Sequence, residues 1–227
     1  MFHPHPAILK PHAYRAIKLD VHALSVGWQI TKDGLYVSGK IEDTGRPPST
    51  VRRIWTDFGE SIKHWAFIHR VPVELIIATA ATETGGDPSK VREEPGYISD
   101  KTTPHRVSPG LMQTLISTAR FTVGTVDGSA IDREWLLIPH NSIRAGTSYI
   151  GGQRVITDFD PPKVFAAYNA GNLYAEFGKK NRWKMRQYPI GTSEHVDRGV
   201  RWFNDCFTMF EEDGGAPPMS FYAALNN

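Results

Sequence analysis

The chain has 227 residues, of which 40% are hydrophobic and 22% charged, and its formal net charge at pH 7 is +2. This apolar fraction excludes a disordered chain, and no uninterrupted apolar run reaches the roughly 18 residues that a membrane-spanning helix needs. The near balance of charge argues against a dedicated nucleic-acid-binding domain, and the single cysteine, Cys206, excludes an intrachain disulfide.

Residues 1–46 are predicted to form an N-terminal extension. Its first part, residues 1–27, is rich in Pro and His, which indicates an extended arm, and it lacks the basic and then apolar pattern of a Sec signal peptide. Residues 28–41 alternate apolar and polar side chains on both sides of Lys32-Asp33-Gly34. That pattern predicts a β-hairpin with a tight turn.

Residues 47–212 are predicted to form one mostly helical domain. A linker over residues 42–50 ends with Ser49 or Thr50 as the N-cap of the first helix, after which apolar residues recur at helical spacing. Further helices are expected to begin at Pro72, Ser108-Pro109, Asn141 and Asp160-Pro161, and the last helix has an apolar stripe of Val196, Val200, Phe203, Phe207 and Phe210. The tail, residues 213–227, is predicted to be irregular. The predicted class is therefore mainly α (α+β), with a small N-terminal β-hairpin.

Glu83 is the first candidate for catalysis. It lies near the end of a predicted helix that is apolar almost all round, just before Thr84-Gly85-Gly86. Burial disfavours the carboxylate, and so does the partial negative charge of a helix C-terminus, so both raise the pKa of Glu83. A carboxylic acid that is still protonated near neutral pH is what general-acid cleavage of a glycosidic bond needs. The alternative interpretation is an ordinary exposed glutamate at a helix end.

Two further segments carry polar groups suited to a ligand. In Gly110-Leu111-Met112-Gln113, the glycine allows close approach of a backbone or ligand, and Gln113 offers donors and acceptors for sugar hydroxyl and acetamido groups. In Ala167-Tyr168-Asn169-Ala170-Gly171, the phenol can hold a nearby carboxyl and the amide can bind a carbonyl or hydroxyl. Helix packing and a C-cap at Gly171 explain the two segments about as well.

Together, ATETGG (81–86), SPGLMQ (108–113) and AAYNAG (166–171) resemble the SLT-type lytic transglycosylases, which share the lysozyme-like fold with goose-type lysozymes. The resemblance covers roughly residues 50–211. It implies a lysozyme-like SLT domain over residues 47–212, with peptidoglycan glycan strands as the substrate. The bond cut would be the β-1,4 bond between N-acetylmuramic acid and N-acetylglucosamine, without a metal or an organic cofactor.

The resemblance also implies roles for the residues at matching positions. Glu83 is expected to be the single general acid and base, with Tyr168 hydrogen-bonded near it. Thr84 stands where the family has Ser, and His195 stands where the family often has Tyr at the start of the last helix. The residues expected to bind substrate are Thr84, Met112, Gln113, Tyr168, Asn169 and His195.

The implied reaction is non-hydrolytic. Glu83 protonates the leaving oxygen and then deprotonates the sugar's own 6-hydroxyl, which gives a 1,6-anhydro end. A lysozyme-type hydrolase, or muramidase, is the alternative; in the inverting form it needs a second carboxylate roughly 6.5–9.5 Å from the first. The candidates for that carboxylate are Asp87, Glu93, Glu94 and Asp100, which are otherwise solvated loop charges. A catalytically idle glycan-binding or virion structural module is the third possibility.

The expected setting is the bacterial cell wall. A wall-cutting enzyme without a Sec signal or disulfide is consistent with a bacteriophage endolysin or a virion-associated lysin, or with a bacterial protein exported by specialised machinery. Residues 1–46 are then a candidate docking segment for a virion or secretion-machinery partner. No nucleic-acid partner is expected, because short basic clusters such as Arg52-Arg53 and Lys179-Lys180 are typical of solvated faces.

Overall fold

The computed structural model describes residues 25–124 and 130–226, so nearly all of the predicted arm over residues 1–27 lies outside the described part. The helices are α1 (Ser49–His69), α2 (Val73–Thr84), α3 (Ile116–Val123), α4 (Arg133–Leu137), α5 (Pro139–Gly152), α6 (Arg154–Thr157), α7 (Pro161–Ala170), α8 (Glu194–Glu212) and α9 (Phe221–Asn226). The strands are β1 (Trp28–Thr31), β2 (Gly34–Val37), β3 (Lys40–Ile41), β4 (Val91–Glu93) and β5 (Val107–Pro109). The predicted mainly α class with a small N-terminal hairpin is confirmed.

Helix α2 runs through the centre of the protein, as its apolar sequence predicts. Every residue from Val73 to Thr82 is buried, and α1 and α8 pack against it. Each large aliphatic side chain buried in this way stabilises the fold by roughly 1.5–3 kcal/mol. The helix ends at Gly85, which has a left-handed backbone (φ +65°) and donates its N–H to the carbonyl of Ala81. Packing on all sides therefore fixes the last turn of α2, where Glu83 lies.

The N-terminal sheet belongs to the same core. Strands β1, β2 and β3 are antiparallel neighbours, and Thr31 pairs with Gly34, so that Lys32 and Asp33 form the two-residue loop. One face of the sheet packs into the main hydrophobic cluster through Trp28, Ile30, Leu35 and Val37. The predicted boundary at residue 46 therefore does not separate two cores.

Two predicted helix starts are wrong. Ser108-Pro109 lies in strand β5, which pairs with β4 in an antiparallel register of Val91 with Pro109. Gly110 (φ +82°) and Gln113 (φ +48°) follow with left-handed backbones that no α-helix can continue through, so α3 begins later, at Ile116. Asn141 is the third residue of α5, not its cap. That helix begins at Pro139, whose fixed φ suits the first helical position.

Other predicted boundaries differ less. Helix α1 begins at Ser49 with Pro48 at the N-cap position, so no side chain caps it. Helix α7 begins at Pro161, as predicted, but Asp160 makes no side-chain cap bond to it and instead accepts the indole N–H of Trp28 at 2.7 Å. The apolar stripe of α8 is buried as predicted.

The tail is partly helical, which corrects the prediction of an irregular segment over residues 213–227. The fully buried carboxylate of Glu74 in α2 accepts hydrogen bonds from Ser220 Oγ (2.5 Å), Phe221 N (3.1 Å) and Tyr222 N (2.9 Å). These bonds satisfy backbone N–H groups at the start of α9 that have no partner within the helix. The tail is thereby fastened to the central helix.

Candidate active site

A cavity of about 550 Å³ opens beside the C-terminal end of α2. Its walls come from the end of α2, the β4–β5 hairpin, the turn that follows β5, and the end of α7. The residues that line it include Glu83, Arg92, Glu94, Gln113, Tyr168 and Asn169. The three segments singled out in the sequence therefore meet at one cavity.

The carboxyl group of Glu83 lies at this cavity with only 14% of its side chain exposed. Burial raises its pKa to about 7, and the positive charges of Arg198 and Arg92 oppose that rise without cancelling it. The direction is the one expected from the sequence. At neutral pH a substantial fraction of Glu83 is therefore protonated, and it can either give or take a proton.

Thr84 does not face the cavity. Its side chain is buried, and its Oγ1 lies within hydrogen-bond distance of the carbonyl oxygens of Ala80 (3.0 Å) and Leu111 (2.9 Å). It also accepts the N–H of Gly86 at 3.2 Å. The structure therefore places Thr84 outside the cavity lining, where its hydroxyl joins the end of α2 to the turn after β5.

Met112 and Gln113 point in different directions from that turn. The side chain of Met112 is fully buried and packs against Gly146 of α5, so the expectation that it lines the cavity is wrong. Gln113 does line the cavity, and its amide Nε2 donates to the carbonyl oxygens of Lys90 (3.0 Å) and Gly110 (2.9 Å). These bonds hold the Gln113 side chain between the β4–β5 hairpin and the turn.

Tyr168 supports the turn instead of bonding to Glu83. Its hydroxyl donates to the carbonyl oxygen of Met112 (2.7 Å) and lies 2.9 Å from Thr114 Oγ1. Burial, together with the nearby charge of Glu83, raises the pKa of Tyr168 well above its usual value, so the phenol stays neutral. Tyr168 lines the same cavity as Glu83.

Asn169 and His195 lie next to each other at the α7–α8 contact. Asn169 lines the cavity, accepts the backbone N–H of Tyr188 at 2.5 Å, and has its Nδ2 3.3 Å from His195 Nδ1. His195 is 3% exposed and has its Nε2 3.6 Å from Oε1 of Glu83. Burial, with Arg198 and Arg92 adding to it, lowers the pKa of His195 to about 3, so the ring is neutral. His195 thus contacts Glu83 from behind the cavity wall.

The four candidates for a second acid have different surroundings. Glu93 and Asp100 both pair with Arg133, each at 2.8 Å, and the hydrogen bond from Arg133 lowers the pKa of Asp100. Asp87 accepts bonds from the backbone and hydroxyl of Ser89 in an exposed turn. Of the four, Glu94 lines the cavity, where it pairs with Arg92 (Nε–Oε1 2.8 Å).

Several residues that line the cavity were not predicted from the sequence. They include Arg92, His105, Arg106, Tyr149 and Tyr188. The cations come from the β4–β5 hairpin, and no spacing in the sequence indicates that this hairpin folds back over Glu83. Within residues 25–124 and 130–226, no three His, Cys, Asp or Glu side chains are grouped closely enough to hold a metal ion.

The sequence of this chain matches a known protein family. A family model described as the transglycosylase SLT domain matches residues 60–194, which is more than half of the chain. The match extends from α1 to the first residue of α8 and includes Glu83, Gln113 and Asn169. Comparison with curated proteins gives no significant match.

None of the helices in the described part of the chain is long and apolar enough to cross a membrane.

Proposed function

This chain belongs to the transglycosylase SLT domain family, and on that premise we propose that Glu83 is its single general acid and base. Members of the family are lytic transglycosylases that act on peptidoglycan in the cell wall. The observation that carries the proposal is the Glu83 carboxyl, which faces the cavity with a pKa of about 7. A group with this pKa is suited to both halves of an acid and base cycle at neutral pH.

The proposed reaction needs one carboxyl group. Protonated Glu83 gives its proton to the glycosidic oxygen while the bond from that oxygen to the anomeric carbon of N-acetylmuramic acid breaks. The acetamido group of the same sugar assists at the anomeric carbon. The carboxylate of Glu83 then takes the proton of the sugar's 6-hydroxyl, and the 6-oxygen bonds to the anomeric carbon. Glu83 regains its proton, and the product has a 1,6-anhydro end.

Hydrolysis of the same bond is the second candidate function. Glu94 favours it, since this carboxylate lines the same cavity. Its pairing with Arg92 opposes it, because the guanidinium already contacts both carboxylate oxygens, at 2.8 Å and 3.4 Å, where a water would have to bind. We therefore give Glu94 no role in the proposed reaction.

The test is digestion of purified peptidoglycan sacculi followed by mass spectrometry of the released fragments. Wild-type protein should release fragments with anhydro ends, each lighter by one water than the hydrolytic product. Glu83→Gln keeps the shape of the side chain without an ionisable proton and should lower the rate about a hundred- to ten-thousandfold. Glu94→Gln is the matched control and should keep the anhydro product with a rate within a few fold of wild type.

Three outcomes would contradict the proposal. Fragments with reducing ends only would identify a muramidase, and loss of activity in Glu94→Gln would give that residue the second role. Equal clearing of sacculi by wild type and Glu83→Gln would remove Glu83 from the chemistry and leave a glycan-binding module. The setting expected from the sequence, a bacteriophage endolysin or virion-associated lysin with a partner bound through residues 1–46, stays a prediction.

A further inference from the structure

Three contacts connect the backbone of Tyr188 to the carboxyl of Glu83. The N–H of Tyr188 donates to Oδ1 of Asn169 at 2.5 Å, so the Asn169 amide cannot flip without losing this bond. Its Nδ2 therefore faces Nδ1 of His195, at 3.3 Å. On the far side of the same ring, Nε2 lies 3.6 Å from Oε1 of Glu83.

These contacts determine where the imidazole carries its hydrogen. An amide nitrogen only donates, so Nδ1 of His195 must be the acceptor. A neutral imidazole with an unprotonated Nδ1 has its hydrogen on Nε2, which points at Glu83. The ring is neutral at working pH, since burial is the main cause that lowers its pKa to about 3. The backbone N–H of Tyr188 thus selects, through Asn169, a histidine tautomer that offers a donor to Glu83.

We propose that His195 is a positioning residue for Glu83, whose Nε2–H bonds to the carboxylate after proton transfer and aims it at the substrate's 6-hydroxyl. This inference rests on the proposed function of Glu83. The 3.6 Å separation is longer than a hydrogen bond, and it needs to shorten by about half an ångström once Glu83 has lost its proton. Because the bond forms to the deprotonated carboxyl, it stabilises the carboxylate in the free protein as well as during the reaction.

The other groups that face Glu83 do not supply this donor. Arg198 of α8 and Arg92 of β4 act on the carboxyl as positive charges, and Arg92 is paired with Glu94. The hydroxyl of Tyr168 in α7 donates to the carbonyl of Met112. Within residues 25–124 and 130–226, His195 is the basic side chain paired with the carboxyl of Glu83, at 3.6 Å.

Two substitutions of His195 test its N–H donor and the volume of its ring separately. His195→Phe keeps a ring of similar size without the N–H, whereas His195→Gln keeps an N–H donor of similar reach. A lost hydrogen bond to a charged group changes an equilibrium by roughly ten- to a hundredfold. In His195→Phe we expect kcat to fall by about that factor and the pKa of Glu83 to rise by about one unit. His195→Gln should restore kcat to within a few fold of wild type and keep the pKa of Glu83.

The readouts are a pH profile of kcat and a direct titration of the Glu83 carboxyl by ¹³C NMR. A residue that only fills space would lower the rate or the stability without moving the pKa of Glu83, and an unchanged titration in His195→Phe would overturn the proposal. If that variant does not fold, ¹⁵N NMR of the wild-type His195 ring decides the matter. A hydrogen on Nε2 is expected, and a hydrogen on Nδ1 would overturn the inference.

These readouts distinguish the failure of this inference from the failure of the proposed function. A fully active Glu83→Gln variant refutes the role of Glu83. An inactive Glu83→Gln combined with an unchanged Glu83 titration in His195→Phe leaves that role intact and refutes the role of His195 alone.

Discussion

Gly110 packs directly against the backbone of Leu136 in α4. A β-carbon built on Gly110 would lie 2.0 Å from the carbonyl oxygen of Leu136, and the φ of Gly110 is +82°. Both the close approach and the left-handed backbone require glycine at this position. The turn that carries Gln113 to the cavity therefore depends on a residue with no side chain.

Gly110→Ala is expected to lower the free energy of unfolding by roughly 2–5 kcal/mol, because backbone strain and a clash with a carbonyl add together. The matched control is Gly45→Ala, at a glycine with φ +67° that has no atom within 4 Å of the added carbon. That control should lose only the strain, roughly 1 kcal/mol. Urea unfolding of both variants gives the comparison, and equal losses would show that the contact with Leu136 does not matter.

The part of the site that the sequence predicted is the part set by burial. An apolar run such as α2 has to cross the core, and a carboxyl in its last turn must then be partly desolvated, so the position and raised pKa of Glu83 follow from local pattern. The end of α7 is similar, because Gly171 ends the helix and leaves Tyr168 and Asn169 in its last turn.

The part that the sequence could not predict is set by tertiary contacts. Thr84 and Met112 lie next to site residues in the chain but point into the interior. The side chain of Thr84 lies against the carbonyl oxygen of Leu111, and at Met112 the left-handed backbone of the next residue, Gln113, redirects the turn. Arg92 reaches the cavity only because β4 pairs with β5, sixteen or so positions away along the chain. The α9 helix is likewise stabilised by Glu74, a residue with no pattern to indicate a partner in the tail.

The raised pKa of Glu83 predicts how activity depends on pH. The first step needs the protonated carboxyl, so kcat/KM should fall as the pH rises through about 7, tenfold for each further unit. An ordinary glutamate would give the same fall near pH 4.5. Initial rates on sacculi between pH 5 and 9 at constant ionic strength provide the test. A rate that still rises from pH 7 to 9 would contradict it.

The same shift predicts a dependence of stability on pH. A carboxyl whose pKa is 4.5 in the unfolded chain and about 7 in the folded protein stabilises the fold fully below pH 4.5. That contribution is lost as the pH rises through about 7, and the loss reaches about 3 kcal/mol. Glu83→Gln has no such group, so its free energy of unfolding relative to wild type should increase between pH 5 and pH 8. Denaturant unfolding at both pH values tests the sign, and a parallel pH dependence of the two proteins would refute it.

The three hydrogen bonds between Glu74 and the tail predict different losses of stability for two substitutions. Ser220→Ala removes one of the three hydrogen bonds to Glu74 and also the acceptor of the Ala223 N–H (3.2 Å), and it should cost roughly 1–2 kcal/mol. Glu74→Ala leaves the N–H groups of Phe221 and Tyr222 without their acceptor and should cost roughly 2–4 kcal/mol. Hydrogen exchange at these two amides is the specific readout, since faster exchange there with slow exchange in α2 indicates local release of α9. Slow exchange at both amides in Glu74→Ala would contradict the role of this carboxylate.

Asn204 of α8 fastens the N-terminal sheet to the core. Its Oδ1 accepts the N–H of Leu35 at 2.7 Å, and its Nδ2 donates to the carbonyl oxygens of Leu35 (3.0 Å) and Glu42 (2.8 Å). Leu35 is fully buried, so water cannot replace these bonds. Asn204→Leu should therefore lower the free energy of unfolding by roughly 2–5 kcal/mol and speed hydrogen exchange at the Leu35 amide.

Asn226→Ala is the matched control, because its amide also bonds to the hairpin, at Lys32 O in the loop (3.0 Å), but on an exposed surface. Water replaces that bond, so the loss should stay within about 0.5 kcal/mol. If residues 28–41 formed an independent appendage, Asn204→Leu would release the sheet and leave the unfolding of the helices unchanged. A single cooperative transition at lower denaturant in Asn204→Leu, followed by both sheet and helix probes, is the outcome expected from a shared core.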